Sequence, residues 1–437
     1  MSRNRRNSRS KNNINFDSNF KRNFLILFIA IILLILIYLI INFVVCNKKN
    51  NNIENLVSDN ENLIENNNNN NDDDKKDENK DDIDYNSYYD NKSRTFNLCA
   101  IGDIMCHNTQ YFDAYIKETD EYDFSYVFDD IKKYTSSPDI CIGNLETSFA
   151  GKDRGYSNYP RFNSPDSLVK AIKDIGVDVL STASNHSLDM GFSGLSRTID
   201  VLDENYISHL GTYKSKEEQE KILYKYVKGT KIAFINYTYG TNGIPVPQGK
   251  EFCINLINKD LIKSQIELAK SEGAHMIVAL MHWGTEYRTT ADDNQKKLAD
   301  FLFENGVDII LGNHPHTIEP MEKRTVTMPD GTKKDCFVVY ALGNFICDQN
   351  APNTRNSLIL NLRITRDKDN KISIDDVSYV PIHMYKDPSK KLRKFKLLDI
   401  NKSISLYESG EDTSIGKAKY EDLKVQLKAI KNILGEN

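Results

Sequence analysis

The chain is poor in cysteine: 7 are scattered over 437 residues, and none stands in a C-x-x-C pair. Such a count does not make a disulfide scaffold. Free, buried thiols are expected, although Cys106, Cys336 and Cys347 would be free to pair in an exported domain. An excess of basic charge is also missing. With 57 basic and 62 acidic side chains the net charge is -5, the wrong balance for a general nucleic-acid binder. Hydrophobic residues reach only 39%, and one long apolar run stands where a polytopic membrane protein would need many.

That one run sets the organisation of the chain. Residues 1–23 carry seven basic side chains against Asp17, a net of +6. An apolar stretch follows at 24–46, interrupted only by Asn42. It is long enough to cross a bilayer as a helix, and the basic flank predicts a cytoplasmic N-terminus with the remainder exported. A cleaved signal peptide would have a shorter apolar core ending in small residues. Here the run ends Phe43-Val44-Val45-Cys46, so an uncleaved signal anchor in the cell membrane is expected. Residues 47–93 set six lysines against thirteen acids and include six consecutive asparagines at 66–71. That composition reads as a disordered stalk.

The remainder, 94–437, carries a net charge of -4. Short β-branched runs at 96–101, 139–142, 177–180, 275–281, 307–311 and 337–342 each stop abruptly in polar residues. They read as buried strands. Helical periodicity with a glycine stop precedes three of them, at 165–175, 261–271 and 295–305. Helix, glycine cap, buried strand and polar tip together make an α/β unit. In such folds ligands collect at the carboxyl ends of the strands. Strands at 358–364 and 371–380 and an amphipathic helix at 420–434 are expected beyond.

The tips supply Asp103, Asn144, Glu146, Asn185, His186, His282, His314 and His316. Taken singly, each has a plain structural explanation, such as a helix cap for Asp103 or packing for His282 beside Trp283. Taken together, four of the eight histidines in the chain fall at strand ends, which predicts one shared site. Imidazole suits Zn, Fe or Mn and carboxylate suits Mn or Mg. One or two divalent ions are therefore expected, and a pair would clamp a phosphoryl group and activate water. The glycine-containing stretch 240–249 has no phosphate-loop pattern and reads as a loop.

In order, GDIM at 102–105, GNLET at 143–147, SNHSLDMG at 184–191, MHWGTEY at 281–287, GNHPHTIEPME at 312–322 and YALGNF at 340–345 resemble the bacterial capsule synthesis protein CapA family. That family includes the PgsA component of poly-γ-glutamate synthesis. The resemblance implies a calcineurin-like metallophosphoesterase fold, a four-layer αββα sandwich over 94–395 with a C-terminal helical extension at 396–437. It assigns metal-ligand roles to Asp103, Glu146, Asn185, His282, His314 and His316, and a leaving-group role to His186. Two positions depart from the superfamily pattern. Met105 stands where its first motif has a histidine, and Glu146 stands for its bridging aspartate.

The resemblance implies a membrane-anchored extracellular participant in capsule or poly-γ-glutamate assembly. Its partners would be the other subunits of the synthesis complex and an anionic polymer, not nucleic acid. An extracellular metal-dependent phosphoesterase or other hydrolase, and a metal-stabilised scaffold, are the alternatives. An acidic domain must bind a polyanion locally, through metal or through the basic run Lys390, Lys391, Arg393, Lys394 and Lys396.

Overall fold

The computed structural model describes residues 92–328 and 331–436. The basic tail, the apolar run at 24–46 and nearly all of the acidic stalk lie outside the described residues. Among those described, no helix is long and apolar enough to cross a membrane.

Two sheets organise the chain. The eight-stranded sheet runs Phe395–Asp399, Ile372–Lys386, Asn356–Arg366, Arg94–Ile104, Ile140–Leu145, Val179–Ser181, Ser208–Leu210, with Asn344–Ile346 also pairing to Arg94–Ile104. The six-stranded sheet runs Met321–Thr327, Lys333–Val339, Ile309–Asn313, Met276–His282, Thr230–Thr238, Leu223–Val227. The central strands of both are parallel, and the C-terminal strands Asn356–Arg366, Ile372–Lys386 and Phe395–Asp399 add antiparallel edges.

Strand alternation sets the layers. Leu98, Ala100, Ile140 and Ile142 of one sheet share a buried cluster with Phe234, Val278, Leu280, Ile309 and Leu311 of the other. The intervening residues point outward to helices. Cys99, Ile101, Cys141 and Leu180 meet Leu168, Ile172 and Leu202, while Ile235, Ile277, Ala279 and Ile310 meet Ile262, Ile266, Ala299 and Leu302. Strands covered on both faces read as unbroken apolar runs, as these do. The result is a mixed α/β fold with the order helix, sheet, sheet, helix.

Two close approaches depend on glycine. A Cβ on Gly102 would stand 1.8 Å from the Gly343 carbonyl oxygen, and one on Gly312 would stand 1.9 Å from that of Tyr340. The main chain at the strand ends is therefore packed against main chain, with no room for a methyl group.

The C-terminal segment adds the strand Phe395–Asp399 before any helix begins. Helix Ile400–Ser409 follows, capped by the Asp399 carboxylate, which accepts from Lys402 N at 3.0 Å. Helix Gly416–Leu434 inserts Leu423 and Ile430 into the inter-sheet cluster. Val425, an apolar residue of the same helix, is 64% exposed. It lies about 200° around the helix from Leu423, so the two cannot share a stripe. The six cysteines of the described residues are free and buried.

Candidate metal centre

Strand register brings the polar tips together. Asp103 pairs across the sheet with both Asn144 and Asn344. In the second sheet His282 pairs with Asn313 and with Thr238. Glu146 directly follows its strand, its N–H donating to the Ile104 carbonyl at 3.0 Å. His314 and His316 directly follow the strand that ends at Asn313. Both have positive φ, 103° and 62°, a region that non-glycine residues enter uncommonly and that recurs at functional sites.

All seven residues given a ligand or leaving-group role are buried, and five of them gather around a sixth, Glu146. Its Oε1 is 3.5 Å from His282 Nε2 and 3.8 Å from His316 Nε2. Asp103 Oδ2 lies 3.4 Å from His316 Nδ1 and accepts from His314 N at 3.4 Å. Asn185 Oδ1 is 2.8 Å from His282 Nε2. Two ligand-competent groups result, Glu146–His282–His314 and Asp103–Glu146–His316, and they share Glu146.

The donor set fits a divalent cation. Both carboxylate oxygens of Glu146 and Nδ1 of His314 are buried with no hydrogen-bond partner among the described residues. Leaving such atoms unpaired is costly, and a cation would satisfy them. Electrostatics agrees with a site built to hold charge. Burial, with Glu146 beside it, pushes the Asp103 carboxyl up. Burial acts on Glu146 in the same sense, but His316 and His282 outweigh it and hold the carboxyl below its ordinary range. Burial opposes charge on His316, yet Glu146 and Asp103 raise it to about 9. His314, pushed down by burial and then by His282, falls well below the usual imidazole value.

The seventh residue, His186, stands beside the cluster rather than inside it. Its Nδ1 is 2.8 Å from Asp189 Oδ2, which also accepts from Phe162 N at 2.7 Å. Its Nε2 is 3.4 Å from Asn242 Nδ2, and the Phe162 ring packs against it edge-on at 4.8 Å. Asp189 thus orients the ring through Nδ1, with Nε2 facing Asn242.

Several participants escaped the sequence reading. Asp189 lies within the SNHSLDMG stretch, three residues after His186. Asn242 lies in the loop dismissed for lacking a phosphate pattern. Asn344 places Oδ1 3.0 Å from His316 Nδ1, and the GNF turn that carries it was the available signal. Asn144, read from sequence as a tip residue but given no ligand role, links the sheets, its Nδ2 donating to Asp103 Oδ1 at 2.9 Å and lying 3.3 Å from His282 Nδ1. Tyr239 lays its ring 4.5 Å from that of His314. Met105, in place of a histidine, packs with Phe162 and Cys347. Trp283 donates Nε1–H to the Tyr340 carbonyl at 2.9 Å and is structural. Within the basic run, Arg393 and Lys396 pair with Asp123 and Asp130, each at 2.9 Å.

The class of protein is thus a double-sheet α/β domain with histidines and carboxylates gathered at its strand ends. Within it, this chain belongs to the bacterial capsule synthesis protein PGA_cap family, whose model matches residues 97–349. The capsule biosynthesis protein CapA of Bacillus anthracis is 27% identical over 303 residues, 67% of this chain and 68% of that protein. The PGA biosynthesis protein CapA of Bacillus subtilis (strain 168) is 28% identical over 300 residues, 65% and 70% of the respective chains. Among solved structures, the NAD nucleotidase of Haemophilus influenzae aligns with a TM-score of 0.43 and 14% identity, covering 78% of this chain and 61% of that one.

Proposed function

We propose that this chain takes part in capsule or poly-γ-glutamate synthesis through a divalent-metal centre of the calcineurin-like metallophosphoesterase type. The names of its Bacillus relatives support the process. The observation that carries the chemistry is the pair of ligand groups sharing Glu146. Asp103, Glu146 and His316 would hold one ion; Glu146, Asn185, His282 and His314 would hold a second. When bound, the metal would supply Lewis acidity toward a substrate oxygen and an attacking water.

The chain's own residues do the rest. Asn144 holds Asp103 in place and lies against His282. Asn344 orients His316 from outside the ligand set. His186, held through Nδ1 by Asp189, presents Nε2 to a leaving group; only as the imidazolium, with both ring nitrogens protonated, does it have an Nε2 proton to deliver there. Residues 24–46 anchor the chain, and the α/β domain lies outside the membrane.

Elemental analysis of the purified full-length chain tests the centre, followed by assays on a phosphodiester and on poly-γ-glutamate with added Mn. One or two ions per chain, lost in His314→Ala, are expected. A metal-free wild-type chain after incubation with Mn, Zn and Fe overturns the centre. Protection of the stalk from external protease in intact cells overturns the topology.

A further inference from the structure

Glu286 was part of no role assigned from sequence. It lies on the loop after the strand Met276–His282, and its carboxylate forms a third ligand-competent group with His314 and His316, the ligand atoms all within 4.8 Å. It is the exposed member of that group, whereas the members of the other two groups are buried.

The position is tied down on both sides. Trp283 N donates to the Asn313 carbonyl at 3.1 Å, and Tyr287 N donates to the Pro315 carbonyl at 2.8 Å. The Thr317 hydroxyl donates to the Arg288 carbonyl. These bonds fasten the loop to the same segment that carries His314 and His316. Gly284, at φ 90°, fits against the Gln295 side chain, and the Tyr287 ring stands 6.1 Å from that of His316. The main chain that carries Glu286 is thereby fixed to the histidine segment, and its exposed carboxylate lies within ligand reach of both histidines.

We propose that Glu286 is the outer carboxylate of the centre. It closes the open face over His314 and His316 as a displaceable ligand. It also biases that face against phosphate-like anions, in favour of a substrate presenting a neutral amide or an ammonium group. The inference rests on the metal reading given above.

Charge is the reason. Two dications facing Asp103 and Glu146 would leave two positive charges for an incoming anion; with Glu286 they leave one. With a single ion, the same carboxylate turns a neutral centre negative. An anion must also approach past a like charge, which opposes association. An amide has no such penalty, and an ammonium group is attracted.

The test uses the full-length chain, with Mn binding followed by electron paramagnetic resonance and inorganic phosphate as the probe. Glu286→Gln removes the charge at an exposed position and keeps the shape. It should bind Mn about tenfold more weakly, and its Mn-loaded form should bind phosphate about fivefold or more tightly. Unchanged Mn affinity, or phosphate binding that does not tighten, overturns the assignment. Mn bound by the wild type and lost in His282→Ala keeps the centre standing even if Glu286 fails. A wild type that binds no Mn brings down both.

Discussion

Glu146 Oε1 stands 3.5 Å from His282 Nε2, yet neither oxygen of that carboxylate has a hydrogen-bond partner among the described residues. A buried carboxylate in that condition is expensive unless a cation completes it. Metal removal should therefore destabilise the chain, because an ion that binds only the folded state raises its stability. Chelation is expected to lower the melting temperature by several degrees. In Glu146→Gln the chelator should make little difference, and the Mn dissociation constant should rise more than about tenfold. Calorimetry with and without chelator checks both.

The His186–Asp189 pair is expected to act in turnover without holding metal. Asp189→Asn and His186→Ala should each lower turnover by about a hundredfold or more, with bound metal unchanged by elemental analysis. Loss of metal in either variant would place His186 among the ligands instead.

Glu319 supplies a pH signature. Its buried carboxyl accepts from Gln295 Nε2 at 2.6 Å, and its other oxygen has no partner among the described residues. Burial raises it to about 7 from an ordinary 4.5, with the Gln295 hydrogen bond opposing. The folded chain then keeps this proton after the unfolded chain has released it. Its contribution is present below the unfolded value, falls as pH rises, and is lost through pH 7. The difference is on the order of 3 kcal/mol. Denaturant titrations at pH 5 and pH 8 should show the wild type losing that much relative to Glu319→Gln.

Gly102 tests the main-chain packing under the centre. Gly102→Ala sets a methyl carbon 1.8 Å from the Gly343 oxygen, so one chain must move. A loss of about 2 kcal/mol or more is expected from such overpacking, together with weaker Mn binding because Asp103 is the next residue. Urea denaturation and metal titration of the same sample check it.

Much of this was legible in the sequence, for physical reasons that differ by element. Strands such as Ile309–Asn313 are covered on both faces, so their apolar runs end sharply and mark the site. Helix Asp293–Asn305 declared itself through periodicity and through Gly306 at φ 112°. Helix Gly191–Glu204 did not, because Gly191 and Gly194 in its first turn weaken the local signal. Strand Thr230–Thr238 also went unread, although it is buried throughout. Sheet membership was invisible, since a run buried on both faces does not say which neighbour it pairs with. Asn242 and Glu286 were missed because only tertiary register, not local pattern, brings their loops to the histidines.

The ligands divide between the two sheets. Of the proposed set, Asp103, Glu146 and Asn185 lie on or just after strands of the eight-stranded sheet, and His282, His314 and His316 on or just after strands of the six-stranded one. Neither sheet alone holds a complete set. A chain truncated between them, or one folded in only one half, would carry the sequence motifs and still present no centre. If the proposed centre holds metal, its occupancy would report completed assembly, a checkpoint that a half-finished molecule cannot pass.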